Sequence, residues 1–421
     1  MWRRLAVAVA GAALGAGLPA LAAAPPFYAD KANLLAYADA HGTLQPVRTA
    51  ADWQKRREHI LASMQAVMGP LPPDSSKVPP EVTTLSEEHL PGVVRRRISF
   101  AAEKDDRVPA YLLVPQDLKA KAPAMLCLHQ TTAIGKAEPA GLGGSPNLHY
   151  GLELARRGYV ALCPDYPNFG DYKVDPYKRG YSSATMKAVW NHMRAIDVLA
   201  SMPEVDGRRI GCIGHSLGGH NAAFLAAFDT RVAAAVSSCG LNSFAKYSGG
   251  NLAGWSHPGY MPRIAGVYGC DPKRMPFDFT EVVAAVAPRP FFISAPLGDT
   301  NFEVSGVKDC VVAARPVYSL LGAAGKLVAV HPEGGHDFPP EARRAAYEFL
   351  DGVLRPGSPA GRPAMSLQRR RATGGSGLTL RGCAAGLLTR SACLATRVAR
   401  WVRRPTAQPS DTKVLRHTSV S

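Results

Sequence analysis

Residues 209–228 read "RIGCIGHSLGGHNAAFLAAF", and the order of residue types in this stretch decides the fold. An apolar run through Ile210, Cys212 and Ile213 fits a buried strand, and the Ala-rich run after Leu217 fits a helix. Between them lies G-x-S-x-G, Gly214 to Gly218, centred on Ser216. A strand, a tight turn and a helix in that order lift a serine hydroxyl clear of the backbone. The next amide, that of Leu217, then points from a helix N-terminus at any negative charge developing nearby. A plain turn of small residues would carry the same letters, so the flanking segments decide the reading.

Working outward, short apolar runs alternate with helix-length segments. "APAMLCLH" (122–129) and "YVALCPDY" (159–166) precede a helix through Ala184 to Met202; "VAAAVSSCG" (232–240), "RPFFISAPL" (289–297), a helix near Val307 to Leu321, "KLVAVHP" (326–332) and a last helix, Pro340 to Leu354, follow. Near-continuous apolar strands separated by helices predict an α/β domain with a mostly parallel central sheet and helices on both faces. Upstream, Ile60, Leu61, Met64, Val67 and Met68 mark an N-terminal accessory helix within 25–91. "GVVRRRISFAAEKDDRVPAYLLVP" (92–115) predicts a hairpin at a sheet edge. Residues 241–280 break the rhythm with a Gly-, Trp- and Tyr-bearing stretch that reads as a cap-like insertion.

The formal charge of +16 is unevenly placed. Residues 358–421 hold twelve Lys or Arg against the single acid Asp411, so the rest of the chain carries only +5. That leaves little reason to expect a nucleic-acid partner. The tail reads as a basic, disordered extension that has the charge to touch anionic surfaces. Residues 1–24 have the layout of an export signal: Arg3 and Arg4, an apolar stretch, then small residues before Pro25. The expected location is therefore periplasmic or secreted. Cys127, Cys163 and Cys212 sit in strand-like runs as small buried thiols, and an oxidising compartment would permit a bridge among Cys239, Cys270 and Cys310. No metal-ligand spacing occurs, and neither metal nor cofactor is expected.

A serine hydroxyl needs a base and an acid to orient that base, in the order Ser, Asp, His for this architecture. His336 sits in a Gly-rich loop after the last apolar strand, and it is favoured over His331, which abuts that strand. Asp299 lies just beyond the strand at 291–295. Asp165 and Asp171 come too early, Asp309 and Asp337 read as helix-surface or loop residues, and Glu303 is the fallback. The second oxyanion donor should come from the loop after "AMLCLH", where Thr131 is the expected amide and Gln130 its rival.

"LCLHQTT", "PDYPNFGDY", "GHSLGGHNAAF", "MPFDF", "PLGDTNF" and "HDFPPEARRAAYEFL" together resemble secreted bacterial α/β-hydrolases near the dienelactone-hydrolase and acetyl-xylan-esterase branch, over roughly residues 53–354. The resemblance implies the α/β-hydrolase fold and the Ser216, Asp299, His336 triad. The expected chemistry is hydrolysis of a small-molecule or carbohydrate ester, such as a sugar acetate, through an acyl-enzyme. Tyr247, Trp255 and Tyr260 are candidates to pack against a sugar ring. The competing readings are a prolyl-oligopeptidase-like peptidase and an inactive binding protein on the same scaffold. One fold hosts many chemistries, so substrate does not follow from it.

Overall fold

The computed structural model describes residues 24–355, all within one unit, Met1–Ala364. The expected export signal, apart from Ala24, and the basic tail lie outside the described residues. A small pair, β1 (Ala36–Ala38) and β2 (Leu44–Pro46), leads to α1 (Ala50–Met68), then β3 (Thr83–Leu90), β4 (Val93–Glu103), β5 (Asp106–Pro115) and β6 (Ala122–Leu128). Next come α2 (Tyr150–Arg156), β7 (Val160–Pro164), α3 (Ala184–Ser201), β8 (Val205–His215), α4 (Leu217–Phe228) and β9 (Val232–Ser238). The chain then runs through α5 (Arg263–Gly266), α6 (Phe279–Ala285), β10 (Phe291–Ser294), α7 (Val304–Leu320), β11 (Leu327–Val330) and α8 (Pro340–Leu354).

Nine strands form one sheet in the order β11-β10-β9-β8-β6-β7-β5-β4-β3. The run from β11 to β7 is parallel throughout, and β5, β4 and β3 extend it as an antiparallel wing. Strand side chains alternate between faces, so a strand buried on both sides feeds two cores. In β6, Ala124, Leu126 and Leu128 join the core beneath α1, α3, α4, α6 and α7, while Met125 and Cys127 join the core beneath α2 and α8. Each fully buried leucine of this kind contributes roughly 1.5–3 kcal/mol of burial energy. The expected cysteines behave as small core residues: Cys127, Cys163 and Cys212 are fully enclosed, and burial pushes the Cys212 thiol up to about 12. All six described cysteines are free. Among the described residues no helix is long and apolar enough to cross a membrane.

The predicted hairpin forms as β4 and β5, turning at Lys104 and Asp105, but it is not the sheet edge. The edge belongs to β3, "TTLSEEHL", which is exposed along almost its whole length. Its stabilisation is cross-strand: Glu87 faces Arg96 and Glu88 faces Arg95 in register, and each pair forms an ion pair. Charged residues on an edge also discourage pairing with a second sheet.

Buried ion pairs tie the outer elements down. Lys187 of α3 reaches Glu103 and Asp106 beside the hairpin turn, and Arg56 of α1 pairs with Glu281 of α6 where both side chains are fully enclosed. The Arg56 guanidinium also lies over the Tyr28 ring at 3.4 Å. Burial raises the Glu281 pKa, with Arg56 pulling the other way. Removing one partner of such a pair leaves the other charge uncompensated. Arg56→Ala is therefore expected to cost about 3–5 kcal/mol in urea unfolding, with Arg56→Ala/Glu281→Ala recovering part of the loss; equal stability of Arg56→Ala and the parent protein would refute the account.

Candidate active site

The parallel strands end in one row. Leu128 pairs with Gly214, His215 with Ser238, and Ser294 with both Ser238 and Val330. The loops after β6, β8, β10 and β11 thus emerge side by side at the carboxyl ends, where open α/β sheets bind ligands. β6 has β7 on one side and β8 on the other, so the chain reverses its direction of travel across the sheet there.

Ser216 occupies the turn between β8 and α4 at φ +53°, ψ −117°, a backbone state that side-chain-bearing residues rarely adopt. Two glycines make it possible by close approach. A Cβ on Gly214 would collide with the Gly218 backbone, and one on Gly218 would collide with the Leu128 carbonyl oxygen. The Ser216 amide donates to the Ser238 carbonyl at 2.8 Å, fastening the turn to β9. Leu217 opens α4, so its amide stands at a helix N-terminus beside the serine.

Asp299 and His336 meet because their loops continue pairing beyond the strands. The amides of Ala295, Leu297 and Gly298 donate to the carbonyls of Val330, Pro332 and Gly334 at 3.0, 2.9 and 2.8 Å. His336 Nδ1 then lies 3.0 and 3.1 Å from the two Asp299 carboxylate oxygens. Asp299 is buried, and the amides of Asn301 and Phe302 donate to its Oδ1. Burial alone would raise this carboxyl, but the bonds from His336, Phe302 and Asn301 outweigh it and hold the pKa below the ordinary value. The carboxylate thus stays ionised through neutral pH, and the stability it confers is present above its unfolded pKa and lost as pH falls through the lower folded one. The His336 ring packs 4.8 Å from the His215 ring and stacks on Phe302 at 5.7 Å. Ser216, Phe302, Leu217 and Thr131 line one chamber of about 150 Å³. Among the described residues no hydrogen bond joins Ser216 Oγ to His336; such contacts often tighten only with substrate in place.

The rival residues have other employment. His331 Nδ1 donates to the Ala295 carbonyl at 3.0 Å. Asp165 and Asp171 both hold the Lys136 ammonium at 2.7 Å, Asp309 pairs with Lys246, Glu303 accepts from the Ser305 amide at the start of α7, and Asp337 accepts from Asn147. His215, Cys239 and His336 have ligand atoms within 4.8 Å of one another, the arrangement a metal ion would need. Each is engaged elsewhere: His215 Nδ1 with Ser238, Cys239 with the Asp337 carbonyl, His336 with Asp299. Burial takes the His215 pKa down to about 3, so it packs against His336 as a neutral ring.

His129 carries a role that sequence reading left unassigned. Its Nδ1 lies 2.6 Å from the Gln130 carbonyl and its Nε2 accepts from the Tyr166 amide at 2.9 Å. The Gln130 carbonyl and Thr131 amide belong to one planar trans peptide, so holding the carbonyl points the Thr131 N–H the opposite way. Thr131, and not Gln130, lines the chamber with Ser216. Lys136, locked on Asp165 through both its amide and its ammonium, anchors the same loop. A larger surface cleft, about 620 Å³ between 29–32 and α7, contains none of Ser216, Asp299 and His336.

Residues 108–249 match the dienelactone hydrolase family. The chain has the α/β-hydrolase fold and is similar to the dienelactone hydrolases. The hydrolase is 26% identical over 298 residues to YtaP of Bacillus subtilis (strain 168), covering 68% of this chain and 95% of that protein. It is 25% identical over 340 residues to carbohydrate esterase MZ0003 of an unknown prokaryotic organism, covering 68% and 78%. In fold it is similar to a glucuronoyl esterase from Solibacter usitatus, with a TM-score of 0.63 at 20% identity, covering 76% of this chain and 97% of that one.

Replacing His129 by Phe frees the Gln130–Thr131 peptide to turn. The expected result is labelling of Ser216 by a fluorophosphonate slowed by about 10²-fold, the scale of a lost oxyanion donor; labelling at the parental rate would show that His129 does not set this peptide.

Proposed function

We propose that the protein is a serine esterase acting on carbohydrate esters. The observation that carries this reading is the Asp299–His336 pair, 3.0 Å apart, held at the same strand ends as Ser216 in its strained turn. Support for the substrate class comes from the carbohydrate esterase MZ0003, whose alignment spans 68% of this chain. The apparent leader at 1–24 fits an exported enzyme meeting such substrates outside the cytoplasm.

In this mechanism His336 accepts the Ser216 hydroxyl proton as Oγ attacks the ester carbonyl carbon. The carbonyl electron pair moves onto oxygen, where the amides of Leu217 and Thr131 receive the charge. The tetrahedral intermediate collapses, the C–O bond to the alcohol breaks, and His336 returns its proton to that leaving oxygen. Water enters, loses a proton to His336 and attacks the acyl carbon; the bond from that carbon to Oγ then breaks, His336 returns the proton to Ser216 Oγ, and the carboxylic acid is released. Asp299 keeps Nδ1 as the donor and offsets the charge on the imidazolium. No step calls for a cofactor.

Acetylated and methyl-esterified polysaccharides, p-nitrophenyl acetate and peptide anilides, assayed side by side on the purified protein, test the reading. Ester turnover is expected, and amide turnover without ester turnover would replace the esterase reading by a peptidase one. Ser216→Ala is expected to abolish fluorophosphonate labelling, and Asp299→Asn to lower kcat by about 10⁴-fold by inverting the tautomer of His336. A wild-type protein that neither labels nor turns over any ester would favour an inactive binding role.

A further inference from the structure

The chamber beside Ser216 is walled by Thr131, His220, Tyr247, Trp255, Tyr260 and Phe302, and none of the residues lining it carries a charged side chain. His220 is the one titratable base among them. It lies in the first turn of α4, one turn beyond Ser216, and its amide donates to the Ser216 carbonyl. The residue is buried, its ring is set edge-on to Trp255 at 4.8 Å, and burial takes its pKa down to about 3, so the imidazole is uncharged. Its Nδ1 is enclosed without a partner. Nε2, which makes no hydrogen bond among the described residues, is the nitrogen left for the chamber.

The mouth is polar but also neutral. Thr131 Oγ1 and Tyr260 Oη share a hydrogen bond at 2.9 Å across it, and Gly254 lets the Tyr247 hydroxyl approach so closely that a Cβ there would strike it. A volume of about 150 Å³ is well below the roughly 300–1,000 Å³ of sites that engulf a drug-sized ligand. It has room for one group next to the scissile bond and not for a chain. An anion entering would lose its hydration with no charged side chain in the lining to meet it. A hydroxyl loses little, because it both donates and accepts, and Nε2 of a neutral imidazole answers it in either tautomer.

We propose that this chamber recognises an uncharged, hydroxyl-bearing sugar residue carrying the scissile ester, and that His220 is the specificity-determining residue that hydrogen-bonds the hydroxyl. The proposal rests on the esterase reading and adds its substrate class: neutral sugar esters over substrates with a free carboxylate at that residue.

The test compares methyl 3-O-acetyl-xylopyranoside with its 2-deoxy analogue, which lacks the neighbouring hydroxyl, on wild type, His220→Phe and His220→Gln. The expected wild-type preference for the hydroxylated ester is at least about tenfold in kcat/KM and lies in KM, since a site built to bond a hydroxyl rejects the analogue without it. His220→Phe should bring the ratio near one, and His220→Gln, which can still donate and accept, should restore part of it. A wild type with no preference, or a ratio unmoved by His220→Phe, overturns the proposal. A second arm separates this from the esterase reading: calorimetric binding of methyl β-xylopyranoside, which has no ester, should weaken about tenfold in His220→Phe provided its melting temperature matches wild type. Equal binding overturns the chamber proposal, whereas absent ester turnover with this binding difference intact overturns only the esterase reading.

Discussion

Everything at the site follows from one steric constraint, the contact between the turn after β8 and the end of β6. Gly218 lies against the Leu128 carbonyl with no space for a Cβ, and Gly214 lies against Gly218 in the same way. That closeness drives Ser216 into its rare backbone state and brings the serine level with the loop leaving β6. Because β6 ends there, Thr131 on the loop that follows lines the same chamber as the serine. Neither residue reaches the other through its own side chain; the sheet register does the positioning.

Around this contact the structure spends its polar groups in two ways. Buried ion pairs hold loops and outer helices: Lys136 with Asp165 and Asp171, Lys187 with Glu103 and Asp106, Arg56 with Glu281. The reaction centre has a different character. Beside Asp299 and His336 it has backbone groups and uncharged side chains, with His215 and His220 held neutral by burial. A site poor in fixed charge lets a few oriented dipoles and one carboxylate dominate the field where an oxyanion forms.

Much of this was legible in the sequence, because strands buried on both faces announce themselves as apolar runs and a serine turn needs its glycines. The helices at 184–201 and 340–354, the hairpin and the parallel core follow from pattern alone, and the position of Asp299 and His336 after successive strands follows from the order of the chain. What escaped has physical reasons. β3 has no apolar face to read; it is a strand because Glu87 and Glu88 meet Arg96 and Arg95 across the ladder, a signal visible only once the register is known. His129 and His220 sit beside recognised motifs, yet a single histidine carries no spacing. Their parts depend on which carbonyl or ring faces them in three dimensions.

The backbone ladder joining 295–298 to 330–334 has a consequence for motion. Asp299 and His336, the proposed acid and base, sit on loops stitched together by main-chain bonds, so the loops form one unit rather than two independent arms. Moving one loop without the other would break that stitching and leave its amides unpaired. The 241–280 segment is tied to the body at scattered points instead, by main-chain bonds from Ser243 to Gly306 and from Thr185 to Tyr260 and by the hydroxyl pair of Tyr260 and Thr131. The consequence for the proposed acid and base is that a shift of either loop is shared by the other, so their mutual distance is set by the ladder and not by two separate hinges.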